Sequence, residues 1–161
     1  MKLARIMVAP NGARKGKADH PALPLTISET VETAKACFEA GAGAIHAHVR
    51  DAEGQHVLDG GLYRELIAHL AETVPDMSVQ ITTEAVGRYS PQQQREVVRD
   101  AMPAAVSVSL REMLPDDNEE AAAREFYHWA DEADIAVQHI LYEADEVAAF
   151  FARLRQGVIP R

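Results

Sequence analysis

The chain has one cysteine, Cys37, so it has no disulfide partner and no thiolate cluster for zinc. Cytoplasm, a reducing compartment, is therefore the expected location. It lacks any apolar run near the roughly 18 residues a spanning helix needs, so no membrane span is expected. Residues Met1 to Met7 place charge inside a short apolar stretch and offer no small-residue cleavage site. They read as a first strand rather than a leader. Basic residues are outnumbered, 16 Lys and Arg against 25 Asp and Glu, for a net charge of -9. Nucleic acid is therefore not an expected partner, because phosphates need a basic face. A small anion can still be held by a local basic loop. Low-complexity stretches and linkers are also missing, and one α/β domain over residues 1–161 is expected.

What is present is a regular alternation of Val- and Ile-rich runs with segments of helical period. Strands are expected over Leu3–Ala9, Ala44–Val49, Ser78–Thr83, Ala105–Leu110 and Ile135–Tyr142. Helices are expected over Ser28–Ala40, Gly60–Thr73, Pro91–Met102, Asn118–Glu132 and Asp145–Arg155. Thr26 to Glu29 and Ser90 to Gln93 carry capping signals, and Pro91 suits a first helical position. The order gives five βα units with no hairpin, hence a parallel sheet with right-handed crossovers. Two architectures fit: an open doubly wound sheet, or an incomplete (β/α)8 TIM barrel of about five units. Both place ligands at the C-terminal ends of the strands.

The end of the second strand reads Ile45-His46-Ala47-His48-Val49-Arg50-Asp51. His46 and His48 are two apart, so both face one side, opposite Ile45, Ala47 and Val49. Two imidazoles on an inward face need a use for their nitrogens. A divalent metal, zinc above all, is one use, and a hydrogen-bonded pocket pair is the other. The third strand ends in Gln80-Ile81-Thr82-Thr83-Glu84. The hydroxyls of Thr82 and Thr83 can hold a carboxylate or orient a carbonyl, or simply suit a strand. Glu84 can serve as a base or metal carboxylate, or cap a turn. On the fourth strand Ser107, Ser109 and Arg111 share a face. Arg111 can grip a substrate carboxylate bidentately, or pair with Glu84, Glu112 or Asp116.

Other signals fail. Gly12 to Lys17 falls one residue short of a phosphate-binding loop, and Ala18 stands where a hydroxyl is needed. Gly41-Ala42-Gly43 lies between helix and strand, the reverse of a dinucleotide fingerprint. His56, His69 and His128 read as loop or helix-surface residues. Gln138 and His139 point to opposite faces, so only one looks inward.

Four motifs occur in order: Ala9-Pro10-Asn11-Gly12-Ala13, Ala18-Asp19-His20-Pro21-Ala22-Leu23-Pro24, His46-Ala47-His48-Val49-Arg50-Asp51 and Gln80-Ile81-Thr82-Thr83-Glu84-Ala85-Val86-Gly87. Together they resemble the β-keto acid cleavage enzymes, whose founding activity is 3-keto-5-aminohexanoate cleavage. The resemblance implies a (β/α)8 barrel, a homo-oligomer and zinc. It also implies acetyl-CoA as co-substrate, converting a β-keto acid into acetoacetate and a new acyl-CoA. It makes His46 and His48 metal ligands, Thr82 a substrate contact, and Asn11 and Arg14 part of a substrate-facing loop. Arg14 stands where the lysine-fermentation enzyme has an acidic residue. A cation there suits a neutral or acidic β-keto acid rather than an amine. Thr82 and Glu84 are thus the catalytic candidates, and Asn11, Arg14, Thr82, Thr83, Ser107 and Arg111 the substrate-binding ones.

Five units in 161 residues average roughly 32 each, and eight would make about 256, the size of a usual barrel. The sequence therefore reads as about five-eighths of a barrel, and the resemblance implies that a third metal ligand and an acid/base group come from the later strands. The alternatives are a non-catalytic fragment that needs a partner chain, and a small metal-dependent hydrolase or ligand-binding domain.

Overall fold

The computed structural model describes residues 5–161, so the expected start of the first strand at Leu3 lies outside the described residues. In chain order the elements are β1 (Met7–Val8), α1 (Ile27–Glu39), β2 (Ala44–Ala47), β3 (Val49–Arg50), β4 (His56–Val57), α2 (Gly60–Thr73) and β5 (Ser78–Thr82). There follow α3 (Pro91–Ala101), β6 (Ala105–Ser109), α4 (Leu110–Met113), a 3-10 turn over Asp117–Glu119, α5 (Glu120–Glu132), β7 (Ala136–Ile140) and α6 (Ala144–Arg155). Among the described residues no helix is long and apolar enough to cross a membrane.

Helix starts follow local chemistry. Thr26 Oγ1 accepts from the Glu29 amide at 3.1 Å, and Glu29 Oε2 accepts from the Thr26 amide at 3.2 Å. Ser90 and Gln93 repeat this capping box at the head of α3, with Pro91 following. Asp59 Oδ1 caps α2 through the Leu62 amide at 2.8 Å. Each box satisfies two backbone donors that a helix leaves open.

The main sheet has the order β1-β2-β5-β6-β7, and every pair is parallel. Strands added one after another, without a reversal of direction, decide between the two candidate architectures. A doubly wound sheet reverses at its switch point; a barrel does not. The chain is therefore a partial (β/α)8-type barrel, its sheet ending at β1 on one side and β7 on the other.

The two-residue period divides the sheet. Ile45, Ala47, Ile81, Val106 and Val108 are fully buried on the outer face. They join Leu66 and Leu70 of α2, Val98 of α3 and Phe126 of α5 in one apolar core. Each such large side chain removed from water contributes about 1.5–3 kcal/mol. The alternate residues, His46, Gln80, Thr82, Ser107, Ser109 and Gln138, fall on the inner face.

Three expectations are corrected. The chain contains a hairpin: β3 and β4 pair antiparallel, Val49 with Val57 and Arg50 with His56. The turn between them is built by Asp51, whose Oδ1 accepts from the Glu53 and Gln55 amides at 3.1 and 2.7 Å. Gly54 closes it at φ 77°, a conformation that favours glycine. The second strand accordingly ends at Ala47, not Val49. The fourth ends at Ser109, and Leu110 opens α4, so Arg111 leaves the serine stripe.

On the outer side of β7, His139 packs against Tyr127 (ring centroids 5.2 Å apart) and Phe150 (4.8 Å). Burial holds its imidazole down to about 4, from the ordinary 6.5. Above pH 6.5 both folded and unfolded chains keep it neutral, and nothing is lost. As pH falls toward 4 the unfolded chain takes the proton first, which removes up to about 3 kcal/mol of stability. Urea unfolding at pH 7 and pH 4.5 should show this loss in the native chain and a smaller one in His139→Leu.

Candidate functional site

The inner stripe converges at the C-terminal ends of β2, β5 and β6. His46 Nε2 and His48 Nε2 lie 3.2 Å apart. His48 is 4% exposed, and its Nδ1 is buried without a partner among the described residues. His46 Nδ1 meets Gln80 Oε1 at 2.7 Å, and Gln80 Nε2 donates to Gln138 Oε1 at 2.9 Å. Burial holds the His48 imidazole down to about 2, and the neighbouring His46, His56 and Arg50 push the same way. Burial also lowers His46, against the Gln80 hydrogen bond and the Glu84 charge. Both rings are thus neutral at physiological pH and keep nitrogen lone pairs available.

The same separation suits an N–H···N hydrogen bond and two nitrogens sharing one tetrahedral ion. Zinc–nitrogen bonds of about 2.0–2.1 Å at tetrahedral angles put the nitrogens about 3.3 Å apart. The pair therefore fits a divalent metal as two of its ligands. No group of three His, Cys, Asp or Glu side chains gathers as a metal site among the described residues.

The first loop is pinned to this pair. Asn11 is buried, and its Nδ2 donates to the His48 carbonyl at 2.9 Å while its Oδ1 accepts from the His48 amide at 3.2 Å. Its amide thus acts as one more β-bridge partner for His48. Arg50 completes the clamp, donating to the carbonyls of Gly12 (2.6 Å), Lys15 (3.1 Å) and Gly54 (3.0 Å). Arg14 is carried on this loop and reaches Glu84 Oε1 at 3.0 Å.

Beyond β5 the chain turns. Thr82 Oγ1 accepts from the Glu84 amide at 3.0 Å, and Ser107 Oγ donates to Thr82 Oγ1 at 3.4 Å. Glu84 therefore leaves the strand face it shares in the extended reading and lies beside Arg14. Val86 in this loop holds φ 48°. A β-branched residue there is strained by about 1–3 kcal/mol, and such strain concentrates where function requires it. Burial raises the carboxyl of Glu112, which accepts from the Ala85 amide at 3.1 Å.

Two candidates are engaged elsewhere. Thr83 Oγ1 donates to the Ser107 carbonyl at 3.0 Å, fastening β5 to β6. Arg111 pairs with Glu143 at 3.1 Å and with Glu146, and covers the Tyr142 ring at 4.8 Å. None of the partners expected for it is used. The sequence reading missed His56. It is 3% exposed, its Nε2 meets the Glu84 carbonyl at 2.9 Å, and its ring is 5.0 Å from that of His48. The stretch Gln55-His56-Val57 carries no alternation that would mark it as a strand, so its burial follows only from the antiparallel pairing with Val49 and Arg50.

The family model of the beta-keto acid cleavage enzymes matches residues 4–161. The chain belongs to this family. It is 35% identical over 78 residues to the 3-oxoadipate:acetyl-CoA acetyltransferase of Cupriavidus necator, covering 48% of this chain and 28% of that protein. It is 36% identical over 72 residues to the 3-keto-5-aminohexanoate cleavage enzyme of Fusobacterium nucleatum, covering 45% and 26%. The matches thus span little more than a quarter of these relatives' length. Among solved structures, ObcA in complex with oxaloacetate superposes with a TM-score of 0.70 at 14% identity, over 86% of this chain and 35% of that one. A type I 3-dehydroquinate dehydratase from Clostridium difficile gives 0.60 at 12%, over 97% and 60%. These likenesses show a barrel-type fold and no more.

Replacing Asn11 by Ala leaves the buried main-chain groups of His48 unpaired, at a cost of about 1–3 kcal/mol. Urea denaturation should show that loss, and trypsin should cut faster after Lys15 and Lys17. Native-like stability together with native-like cleavage would remove the clamp.

Proposed function

We propose that the chain carries the His46–His48 part of an active site that uses acetyl-CoA to cleave a β-keto acid. In the exchange the bond between the ketone carbon and the carboxymethyl group of the β-keto acid breaks: the acyl group passes to coenzyme A, and the carboxymethyl fragment joins the acetyl group as acetoacetate. The observation that carries this reading is the pair of neutral imidazoles converging at the strand ends of a chain of this family. Zinc is the proposed metal, held by His46 Nε2 and His48 Nε2. When bound, it would supply Lewis-acid polarisation of a ketone oxygen.

The chain's own groups have the remaining tasks. Thr82 and Ser107 offer hydroxyls on the inner face beside the imidazoles, suited to a substrate carboxylate. Glu84, whose charge acts on the His46 imidazole, is the proposed proton acceptor. Asn11 holds the His48 backbone, so its part in substrate binding is indirect. Arg14 is exposed, pairs with Glu84, and presents positive charge at the mouth. That charge favours a substrate with a second anionic group over an aminated one. The similarity to an enzyme named for 3-oxoadipate, a dicarboxylic β-keto acid, supports this choice.

A homo-oligomer is proposed as the working form. Ile6 and Met7 are exposed along β1, and Tyr142, Val147 and Phe151 beside β7, so both sheet edges present apolar surface to cover.

Incubation with acetyl-CoA and a panel of β-keto acids tests the reading, with acyl-CoA formation as the readout. Turnover of a dicarboxylic substrate is expected, lowered at least 100-fold in His46→Ala, which should also lose its zinc by elemental analysis. Arg14→Glu should shift preference toward 3-keto-5-aminohexanoate. Native preference for that amine, or full activity in His46→Ala, would refute the proposal.

A further inference from the structure

The imidazole pair is one end of a hydrogen-bonded line that crosses the sheet. It runs from His48 to His46 at 3.2 Å, to Gln80 at 2.7 Å, and to Gln138 at 2.9 Å. Such a line can carry its protons in either direction. An amide offers an oxygen at one end and an NH2 at the other, and a neutral imidazole has one N–H and one lone pair. Reversing one member reverses them all.

One atom breaks the symmetry. In one direction His46 donates from Nε2 to His48 Nε2, which leaves the His48 proton on Nδ1. That nitrogen is buried without a partner among the described residues. An orphaned buried N–H is among the rarest features of folded proteins, whereas an orphaned acceptor is better tolerated. In the other direction His48 donates from Nε2 and leaves only a lone pair at Nδ1. His46 Nε2 accepts, His46 Nδ1–H donates to Gln80 Oε1, and Gln80 Nε2 donates to Gln138 Oε1.

We infer that Gln80 is a positioning residue that holds His46 in the Nδ1–H tautomer, with its Nε2 lone pair directed into the site, and that the unpartnered Nδ1 of His48 sets the direction of the line. Gln80 is 5% exposed and touches His46 from the adjacent strand, one residue pair across the β2–β5 register. Gln138 is exposed at the sheet edge and acts as the terminal acceptor. The two histidines are therefore not equivalent. His46 offers a lone pair at Nε2, taken in the free chain by the His48 N–H, and an electrophile reaches both nitrogens once His48 moves its proton to Nδ1.

The proposal rests on the reading of the pair as a metal site only for its effect on affinity; the tautomer is a property of the metal-free chain. Nitrogen-15 correlation spectra of the metal-free, ring-labelled full chain report which nitrogen of each histidine is protonated. The expected result is Nδ1–H for His46 and Nε2–H for His48. Gln80→Glu keeps an acceptor at the same place and should keep the His46 tautomer. Gln80→Met removes it and should give a mixture, with zinc affinity lowered about 10- to 100-fold. A His46 ring protonated at Nε2 in the native chain would overturn the proposal. So would an unchanged tautomer in a folded Gln80→Met chain. The assigned tautomers in a chain that takes up no zinc would uphold the positioning role and defeat the zinc reading.

Discussion

The period of two along β2, β5 and β6 is the constraint on which the rest depends. It sends Ile45, Ile81, Val106 and Val108 outward into the helices and His46, Gln80, Thr82 and Ser107 inward. The outer half drives folding, because its burial is what repays the ordering of the chain. The inner half cannot: its polar groups gain only about 1 kcal/mol per hydrogen bond. The site is thus a passenger on a sheet held from behind. A one-residue slip of any strand would exchange the two halves.

Within the inner half most polar groups are satisfied by one another, with His48 Nδ1 and Ser109 Oγ left unpartnered among the described residues. Thr82 serves the Glu84 amide and Ser107, Gln80 serves His46 and Gln138, and Asn11 serves both backbone atoms of His48. This mutual use is how the fold tolerates imidazoles at low exposure. It also explains why the rings stay neutral. Burial opposes the charged form, and the nearby Arg50 guanidinium works in the same direction at His48. Neutral nitrogen is the form that ligates a metal or accepts a proton.

Much of this was legible in the sequence. The capping residues Thr26 and Ser90 announce their helices locally, and strand parity alone puts His46 and His48 on one face. What was not legible depends on tertiary placement. His56 looks like a loop residue because its burial comes from the short β3–β4 ribbon, whose turn rests on the Asp51 carboxylate. Arg111 was read onto a strand that stops two residues earlier, and its true partners Glu143 and Glu146 lie more than thirty positions on. Thr83 and Thr82 are neighbours in sequence yet serve different ends, one fastening strands and one lining the site. Pattern alone cannot separate such neighbours where a strand ends and its parity lapses.

The clamp on the first loop divides the labour of the site. Asn11 and Arg50 grip the loop at its root and at the carbonyls of Gly12 and Lys15, while Arg14 between them projects into solvent. The backbone course is thereby set by residues that never need to touch a substrate. Changes at position 14 alter the charge of the rim while the imidazoles behind it keep their places. The charge of the rim and the imidazoles of the wall are thus inherited on separately mutable parts.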